Sequence, residues 1–324
     1  MSTVLRNRNF GPDEPVVLSI CSIAFNQCDF IAQCIEGFLD QICDFRVEIL
    51  IYDDASTDGT ADIIRDYAAR HPTIFRTFLQ PVNLFSKGVN PYYGFVMPAA
   101  RGDYLAFCDG DDYWSDPHKL ARQVAVLEAE PQTALTYGPV RAITSEGVVE
   151  DYKGGLMRDM TPSELKSGPP INTLTACFRN IFRDKPPSLF MRTSTIGDLT
   201  VWAMLGYHGG GRFLKDMPPA NYRIHANGLI SMQNQKRARF MTAVAHFHVA
   251  AFHDEQGDAA AREVSVQSML RVYNQLGYSR LKDGPLPNST LKLRFKTWRR
   301  AVKRRIRAAI GRGSAKQGGG PGRS

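Results

Sequence analysis

The sequence has no long hydrophobic run. None of its apolar stretches approaches the roughly 20 residues that cross a membrane as a helix. The first residues, MSTVLRNRNFGPDEP, also lack the apolar segment of a secretory signal. We therefore expect a protein that is made in the cytosol and stays in the cytoplasm. The sequence contains no internal repeat either.

The cysteines show none of the spacings that are typical of metal sites. They are Cys21, Cys28, Cys34, Cys43, Cys108 and Cys177. None forms a C-x-x-C pair, and none neighbours a histidine at ligand spacing. Several lie in apolar runs, where cysteine behaves as a small hydrophobic residue. We expect free thiols with a structural role in a reducing compartment.

Acidic residues are missing from the C-terminal end of the chain. The whole sequence has 40 Lys and Arg against 32 Asp and Glu, a net charge of +8. Residues 286–324 hold twelve of the basic residues and no acid, so the rest of the chain is mildly acidic. The positive charge therefore belongs to a tail.

The N-terminal half alternates between buried strands and amphipathic helices. Continuous apolar runs rich in β-branched residues predict strands, and apolar residues at helical spacing predict helices. The predicted strands are 16–25, 47–54, 73–80, 104–107 and 133–143, and the predicted helices are 30–41, 61–71, a segment that ends near Ala100, and 116–130. This alternation is typical of an α/β fold with a mostly parallel sheet and right-handed crossovers.

The second half of the chain is less regular. Residues 145–187 are rich in Gly, Pro and charge, and we expect them to form loops around the site. A helix is predicted at about 199–207, short strands at 211–228 and two helices at 236–278. The expected domains are a catalytic domain at 1–235, a helical extension at 236–285, a basic helix at 286–311 and a disordered tail at 312–324.

The stretch YLAFCDGDDYW places three aspartates directly after a buried strand. Asp109, Asp111 and Asp112 would repel one another unless a cation lies between them. Carboxylate oxygens suit Mg²⁺ or Mn²⁺, which proteins often share with substrate phosphates, and Gly110 would let a phosphate or ribose approach the backbone. The alternative is an acidic turn in which Asp112 or Asp116 caps the next helix.

Two more polar clusters follow predicted strands. Phe25 and Asn26 end the first strand, and Asp53 and Asp54 end the second. Ligands of open α/β sheets bind beyond the carboxyl ends of the strands, so these clusters should meet the aspartate cluster at one site. An acid in this place can accept hydrogen bonds from a base or a ribose. It can also cap the helix that follows, a role for which Asp58 competes.

Five segments in this order resemble the GT-A glycosyltransferases of family 2. They are VLSICSIAFN, EILIYDDASTDGT, PVNLFSKG, ARGDYLAFCDGDDYWSDPHKL and YRIH, and the resemblance spans about residues 15–232. Members of this family pass a sugar from a nucleotide-diphosphate donor to a hydroxyl acceptor. The resemblance implies a Rossmann-like α/β domain, an inverting reaction and a divalent cation, Mn²⁺ or Mg²⁺.

The resemblance also implies roles for residues in these segments. Those expected to bind the nucleotide sugar are Ile23, Phe25, Asp54, Asn83, Lys87, Asp109, Gly110 and Arg223. Those expected at the metal are Asp111, Asp109 and His225. In this assignment Asp54 binds the base, Asp109 lies nearer the ribose and Asp111 binds the metal directly. Lys87 would offset the charge of the diphosphate.

The segment IGDLTVWAML resembles the part of the family that supplies the catalytic base. This implies Asp198 as the group that takes the proton from the acceptor hydroxyl. Many members have Glu-Asp here, whereas this chain has Gly197 and Asp198. The change removes a neighbour that would orient the base. The alternative for Asp198 is a helix N-cap.

Two rival functions keep the same fold. A sugar-phosphate nucleotidyltransferase would carry a Gly-rich, basic loop after the first strand, but this chain has AFNQCDF there. A non-catalytic nucleotide-sugar-binding subunit would have lost the aspartates or the base, and this chain has both. Both observations favour the transferase, whose expected setting is bacterial surface polysaccharide or glycolipid assembly with a saccharide or lipid-linked acceptor.

The tail contains an amphipathic pattern over residues 291–310. Its apolar positions are Leu291, Phe295, Trp298, Val302, Ile306 and Ile310, and Lys and Arg flank them. Such a helix suits an anionic membrane surface, which would place the protein at the inner face of the membrane. Alternatively, the stripe packs on the enzyme body. We expect no nucleic-acid binding, because the remaining body is acidic and has no reader motif.

Two tryptophans allow two interpretations. Trp114 and Trp202 would either wall the donor or acceptor cleft or pack in the core. Three histidines, His246, His248 and His253, do not share one helix face, so we expect packing or surface roles for them.

Overall fold

The computed structural model describes residues 3–152, 154–183, 193–194, 196–225, 228 and 235–276. These residues belong to one compact unit that spans Met1–Leu276. The predicted basic helix at 286–311, its membrane-binding stretch at 291–310 and the tail at 312–324 lie outside the described residues.

Strands and helices alternate through the first half of the chain, as the sequence predicts. The strands are β1 (Thr3–Val4), β2 (Val16–Ala24), β3 (Ile42–Cys43), β4 (Arg46–Asp53), β5 (Phe75–Leu79), β6 (Tyr104–Phe107), β7 (Thr133–Tyr137), β8 (Val140–Thr144), β9 (Gly147–Val148), β10 (Cys177–Arg179), β11 (Gly210–Phe213) and β12 (Ala220–Arg223). The helices are α1 (Ile31–Leu39), α2 (Thr60–Arg70), α3 (Met97–Ala99), α4 (Lys119–Ala129), α5 (Pro162–Leu165), α6 (Gly197–Leu205), α7 (Gln235–Glu255) and α8 (Ala259–Asn274). A π-helical turn, Tyr92–Val96, leads into α3.

The central sheet has seven strands in the order β11-β7-β10-β6-β2-β4-β5. All neighbours pair in parallel except β10, which is antiparallel to both β6 and β7. All eight residues of β4 are buried, in keeping with the apolar run Ile49–Tyr52 in the second half of the strand. The predicted α/β class with a mostly parallel sheet is confirmed.

The segment 133–143, predicted as one strand, forms two strands in different sheets. Strand β7 belongs to the central sheet, whereas β8 lies between β12 and β9 in a separate three-stranded sheet. The break falls at Gly138 and Pro139. Proline lacks the N–H that a continuous strand needs, and a Cβ on Gly138 would lie 2.1 Å from Cε of Met217. The chain therefore turns between the two sheets at this point.

The prediction of loops for residues 145–187 is wrong in one important place. Strand β10 comes from this segment and sits in the middle of the central sheet. It has only three residues, too few to show a two-residue period. Helix α5 also lies here, and it begins with a capping box formed by Thr161 and Glu164.

The helices α7 and α8 pack against each other, and α7 also packs against α6. The hydroxyl of Tyr207 lies 2.8 Å from Nδ1 of His253, and Nε2 of this histidine lies 2.9 Å from the carbonyl oxygen of Lys166. Lys166 pairs with Asp258, the N-cap of α8, at 2.8 Å. These contacts hold the helical pair on the rest of the unit. His246, His248 and His253 are all buried, so the packing role is confirmed.

The six cysteines are free thiols, as predicted. In the part of the chain that the structure describes, no helix is both long and apolar enough to span a bilayer.

Replacement of Gly102 by alanine should strongly destabilise the fold. A Cβ there would lie 2.5 Å from the amide nitrogen of Ser19 and 2.8 Å from the carbonyl oxygen of Tyr104. Both atoms are backbone of the central strands, so the contact cannot be relieved by rotating a side chain. We expect the free energy of unfolding to fall by about 2–3 kcal/mol in urea titrations.

Gly11 offers the matched control for this change. A Cβ on Gly11 meets nothing within 4 Å, so Gly11→Ala should alter the free energy of unfolding by less than about 0.5 kcal/mol. Equal unfolding midpoints for the two variants would contradict the packing that we describe between β2 and β6.

Candidate active site

The three polar clusters lie at one edge of the sheet, at the carboxyl ends of β2, β4 and β6. Because β2 pairs with both other strands, its end contacts both other clusters. The amide of Asp54 donates to the carbonyl of Ala24 at 3.0 Å, and the amide of Gly110 donates to the carbonyl of Ile23 at 2.9 Å. The convergence that the sequence predicts is present in the structure.

Asp54 organises the loop that follows β5. Its carboxylate is 2% exposed and accepts hydrogen bonds from the amides of Leu84 (2.8 Å) and Phe85 (3.1 Å) and from the hydroxyl of Tyr52 (2.8 Å). These bonds place the loop that carries Asn83 and Lys87 next to the end of β4. Contact of Asp54 with a base remains a prediction, and the structure adds a second role for its carboxylate.

Asn83 and Lys87 lie on this loop. The side-chain oxygen of Asn83 accepts from the amide of Ser86 at 2.7 Å, which ties Asn83 to the 3₁₀ turn Phe85–Lys87. Lys87 ends that turn and is exposed. Its ammonium group can therefore approach an anionic ligand at this edge.

The loops after β2 and β4 are tied together by hydrogen bonds. The amide of Asn26 donates to the hydroxyl of Ser56 at 2.8 Å, and the side-chain oxygen of Asn26 accepts from the amide of Thr57 at 2.9 Å. Asn26 and Ala55 have φ angles of 50° and 63°. Left-handed alanine is unfavourable, so this pair of loops holds a strained backbone, a feature that often occurs at functional sites. Phe25 beside them is 45% exposed.

Gly110 makes room for neighbouring side chains. A Cβ on this residue would lie 2.5 Å from Oε1 of Gln27 and 2.8 Å from Cδ1 of Ile31. The glycine therefore lets the acidic turn pack closely against the start of α1. Approach of a ligand to its backbone remains a prediction.

Asp109 is held by a tyrosine that the sequence analysis did not identify. The hydroxyl of Tyr92 donates to Oδ1 of Asp109 at 2.6 Å, and its ring stacks on Phe107 with a centroid distance of 4.2 Å. Burial raises the pKa of the Asp109 carboxyl to about 7, and the nearby charge of Asp111 adds to this rise. The hydrogen bond from Tyr92 acts in the opposite direction.

Asp111 and His225 lie together, as the sequence predicts. Nε2 of His225 is 2.9 Å from Oδ2 of Asp111, and both side chains are partly exposed, at 14% and 19%. Nη1 of Arg223 donates to the backbone carbonyl of Asp111 at 2.5 Å. The guanidinium of Arg223 also lies over the rings of Phe30 (4.9 Å) and Tyr113 (4.6 Å). The segment that contains YRIH therefore contacts the acidic turn directly.

Of the two aspartates considered as caps of the next helix, Asp112 and Asp116, only Asp116 bonds to the backbone just before that helix. Asp112 is buried and accepts from the amide of Arg223 at 2.8 Å, so it attaches β12 to the acidic turn. Burial raises the pKa of the Asp112 carboxyl well above its usual range. Asp116 accepts from the amide of His118 at 3.0 Å just before α4. Asp109 and Asp111 do not cap this helix.

The residues present fit a cation that is shared with a ligand. Within the described ranges, no three His, Cys, Asp or Glu side chains form a group that could hold a metal by themselves. Asp111 and His225 offer one carboxylate and one imidazole side by side. Mg²⁺ usually keeps several waters and binds one or two carboxylates together with substrate phosphates, so a closed protein cage is not required.

Asp198 lies in the first turn of α6. Its Oδ1 accepts from the amide of Leu199 at 2.7 Å, and its Oδ2 accepts from the hydroxyl of Thr173 at 2.7 Å. Burial raises the pKa of the Asp198 carboxyl, which makes it a stronger base than an exposed aspartate. Its charge is also among those that raise the pKa of Asp109, so the two carboxyls are near each other.

Gly197 packs against a buried asparagine. A Cβ on Gly197 would lie 2.9 Å from Nδ2 of Asn90, which donates to the carbonyl of Ser194 at 2.9 Å. Oδ1 of Asn90 accepts from the amide of Tyr92 at 3.0 Å. A larger residue at position 197 would displace Asn90, which explains why glycine occupies this position.

Both tryptophans are core residues. Trp114 and Trp202 are buried, and Nε1 of Trp114 donates to the carbonyl of Leu174 at 2.8 Å. The ring of Trp202 packs edge-on against Phe178. Of the two interpretations open from the sequence, core packing is the one that the structure supports.

Comparison with known proteins identifies relatives of the chain. Rv1520 of Mycobacterium tuberculosis, an uncharacterized protein, is 36% identical over 233 residues, which cover 71% of this chain and 65% of that protein. The putative teichuronic acid biosynthesis glycosyltransferase TuaG of Bacillus subtilis is 26% identical over 224 residues, which cover 69% of this chain and 84% of TuaG. The chain thus spans just under two thirds of the mycobacterial relative.

A solved structure shares the fold. S. aureus TarS 1–349 in complex with UDP-GlcNAc superposes with a TM-score of 0.54 at 16% identity, over 82% of this chain and 74% of that one. The predicted GT-A fold is confirmed. Residues 19–186, more than half of the chain, match the sequence model of glycosyl transferase family 2. The chain is therefore a member of glycosyl transferase family 2.

Proposed function

We propose that this chain transfers a sugar from a nucleotide-diphosphate donor to a hydroxyl acceptor with inversion at the anomeric carbon. The observation that carries the proposal is the acidic turn after β6, where Asp111 contacts His225 at 2.9 Å and where the buried carboxyl of Asp198 is near enough to raise the pKa of Asp109. In the proposed reaction Asp111 and His225 would bind the cation and Asp198 would accept the proton. An inverting transfer needs a group that accepts the acceptor's proton, and a bound cation can offset the charge that develops on the leaving diphosphate.

Asp198 acts on the acceptor. Its carboxylate takes the proton from the acceptor hydroxyl while that oxygen attacks the anomeric carbon. The bond from this carbon to the diphosphate breaks, and the nucleoside diphosphate leaves with the bonding electrons. The raised pKa of Asp198 favours this proton transfer.

The donor lies along the carboxyl ends of the strands. Ile23, Phe25 and Asp54 contact the base, and Asp109 contacts the ribose. Asn83, Lys87, Gly110 and Arg223 line the path of the diphosphate, where the exposed ammonium group of Lys87 reduces its negative charge. Asp111 and His225, with Asp109 beside them, would hold Mn²⁺ or Mg²⁺, which when bound supplies a Lewis acid for the leaving diphosphate.

The acceptor is a saccharide or a lipid-linked saccharide of bacterial surface polysaccharide or glycolipid assembly. The name of the relative TuaG, a putative teichuronic acid biosynthesis glycosyltransferase, supports this setting. We place the protein in the cytoplasm at the inner face of the membrane, because the basic amphipathic stretch at 291–310 suits an anionic surface.

A panel of nucleotide sugars tests the proposal. The chain, incubated with Mn²⁺ and a series of UDP, dTDP and GDP sugars, should release nucleoside diphosphate from one donor, and added acceptor should increase the rate. A nucleotidyltransferase would instead join a sugar phosphate to a nucleoside triphosphate and release pyrophosphate. Donor binding without any release would indicate a non-catalytic subunit.

Truncation after Pro285 tests the role of the tail. The shortened chain should retain its turnover on soluble substrates but should not sediment with vesicles that contain anionic lipid, because it lacks the basic amphipathic stretch at 291–310. The full chain on neutral vesicles serves as the control and should stay in the supernatant. Sedimentation of the truncated chain with anionic vesicles would count against membrane binding by the tail.

A further inference from the structure

A catalytic carboxylate must present a free lone pair to its substrate, and the structure shows what orients Asp198. Each of its oxygens accepts one hydrogen bond of 2.7 Å, Oδ1 from the amide of Leu199 and Oδ2 from the hydroxyl of Thr173. The bond from Leu199 is local to α6. The bond from Thr173 comes from a different part of the chain and so fixes the carboxylate relative to the rest of the site.

Thr173 is itself held in a rigid place. It begins the 3₁₀ turn Thr173–Thr175. Two buried side chains bind the next two carbonyls of this turn: Nε1 of Trp114 donates to Leu174 at 2.8 Å, and Nε2 of Gln123 donates to Thr175 at 2.8 Å. A hydroxyl on a clamped turn loses little freedom when it forms a hydrogen bond, so it can define the orientation of its partner.

The hydrogen bond from Trp114 links the 3₁₀ turn that holds Thr173 to the acidic turn. Trp114 belongs to the stretch YLAFCDGDDYW, which also carries Asp109 and Asp111. The backbone that sets the position of the two aspartates therefore also sets the position of Thr173. Gly197 has no side chain that could assist, and Asn90 fills the space beside it.

We propose that Thr173 is a positioning residue whose hydroxyl holds Oδ2 of Asp198, so that a remaining lone pair faces the acceptor hydroxyl. The inference rests on the proposed function, in which Asp198 is the base. Thr173 does not touch the reacting atoms, and its effect passes through Asp198.

A double-mutant cycle tests this coupling. Thr173→Val removes the hydroxyl and keeps the shape, and we expect kcat to fall about tenfold to a hundredfold with an unchanged KM for the donor. Thr173→Ser keeps a hydroxyl and should restore most of the rate. In a chain that already carries Asp198→Asn, Thr173→Val should cause no further loss, because the group that it orients no longer acts as a base.

Thr133 provides the control. Its hydroxyl donates to a carboxylate oxygen of Glu130 at 2.8 Å at the start of β7, away from the site. Thr133→Val therefore removes the same kind of bond and should leave kcat unchanged. If Thr173→Val does not fold, Thr173→Ala takes its place in the cycle.

The possible results distinguish the positioning role of Thr173 from the base role of Asp198. An unchanged kcat in Thr173→Val, or an equal fold loss with and without Asp198→Asn, would overturn the positioning role while Asp198 remains the base. Wild-type turnover in Asp198→Asn alone would overturn the base assignment and the positioning role together.

Discussion

Replacement of Asp111 by asparagine is expected to abolish cation-dependent donor binding and to lower turnover by about a thousandfold or more. The carboxylate lies beside His225 at 2.9 Å, and in the proposed function the two side chains would bind the cation together. Asparagine keeps the size of the side chain but removes the negative charge that a divalent cation requires. Loss of several kcal/mol of charge stabilisation at the leaving diphosphate corresponds to a rate effect of this order.

Calorimetry with the donor in the presence and absence of Mn²⁺ measures this effect. Wild-type protein should bind the donor more tightly with Mn²⁺, and Asp111→Asn should show no difference. Asp103→Asn is the matched control, because Asp103 directly precedes the opposite end of β6 and pairs at 2.8 Å with the exposed side chain of Arg183. Unchanged Mn²⁺-dependent affinity in Asp111→Asn would refute the assignment.

Replacement of Asp198 by asparagine should lower kcat by roughly a hundredfold to ten-thousandfold and leave the donor affinity unchanged. This is the range that general-base catalysis contributes in enzymes. Asparagine cannot take a proton from the acceptor, but it caps a helix about as well as aspartate. The change therefore separates the catalytic role from the cap role that the sequence leaves open.

Single-turnover rates and donor affinity should be measured together for this variant. Asp258→Asn is the control, because Asp258 caps α8 in the way that the alternative supposes for Asp198. Its kcat should match that of the wild type. If Asp198→Asn also kept the wild-type kcat, Asp198 would have only a structural role in the first turn of α6, and the base would have to be sought elsewhere.

The central strands and the acidic turns were predictable because their signals are local. The sequences of β2 and β4 are mainly apolar, and polar residues follow each strand directly. Parallel strands place such ends at one edge, so the convergence of Asp54 and Asp109 follows from the pattern. Strand β10 could not be predicted in this way. It has three residues, and its place depends on pairing with β6 and β7, far away in sequence.

The hydroxyl partners of the site were missed for a related reason. Tyr92 lies 17 residues from Asp109, and Thr173 lies 25 residues from Asp198. Neither stretch has a periodic pattern that indicates its partner. Their roles arise from tertiary packing, in which a π-helical turn and a clamped 3₁₀ turn bring the hydroxyls to the carboxylates.

The glycine at position 110 can be explained in two ways. From the sequence, a glycine between two aspartates indicates close approach of a ligand to the backbone. In the fold, the missing Cβ leaves space for Gln27 and Ile31. Because α1 is predicted from the sequence but its distance from the acidic turn is not, this packing reason was not available from the sequence.

The most direct test of the account is anomalous diffraction at the manganese edge from crystals that contain Mn²⁺ and UDP. We predict one strong anomalous peak within bonding distance of the carboxylate of Asp111 and of a diphosphate oxygen, with the imidazole of His225 next to it. Bound UDP with no peak near Asp111, or a peak bonded to other residues, would contradict the account.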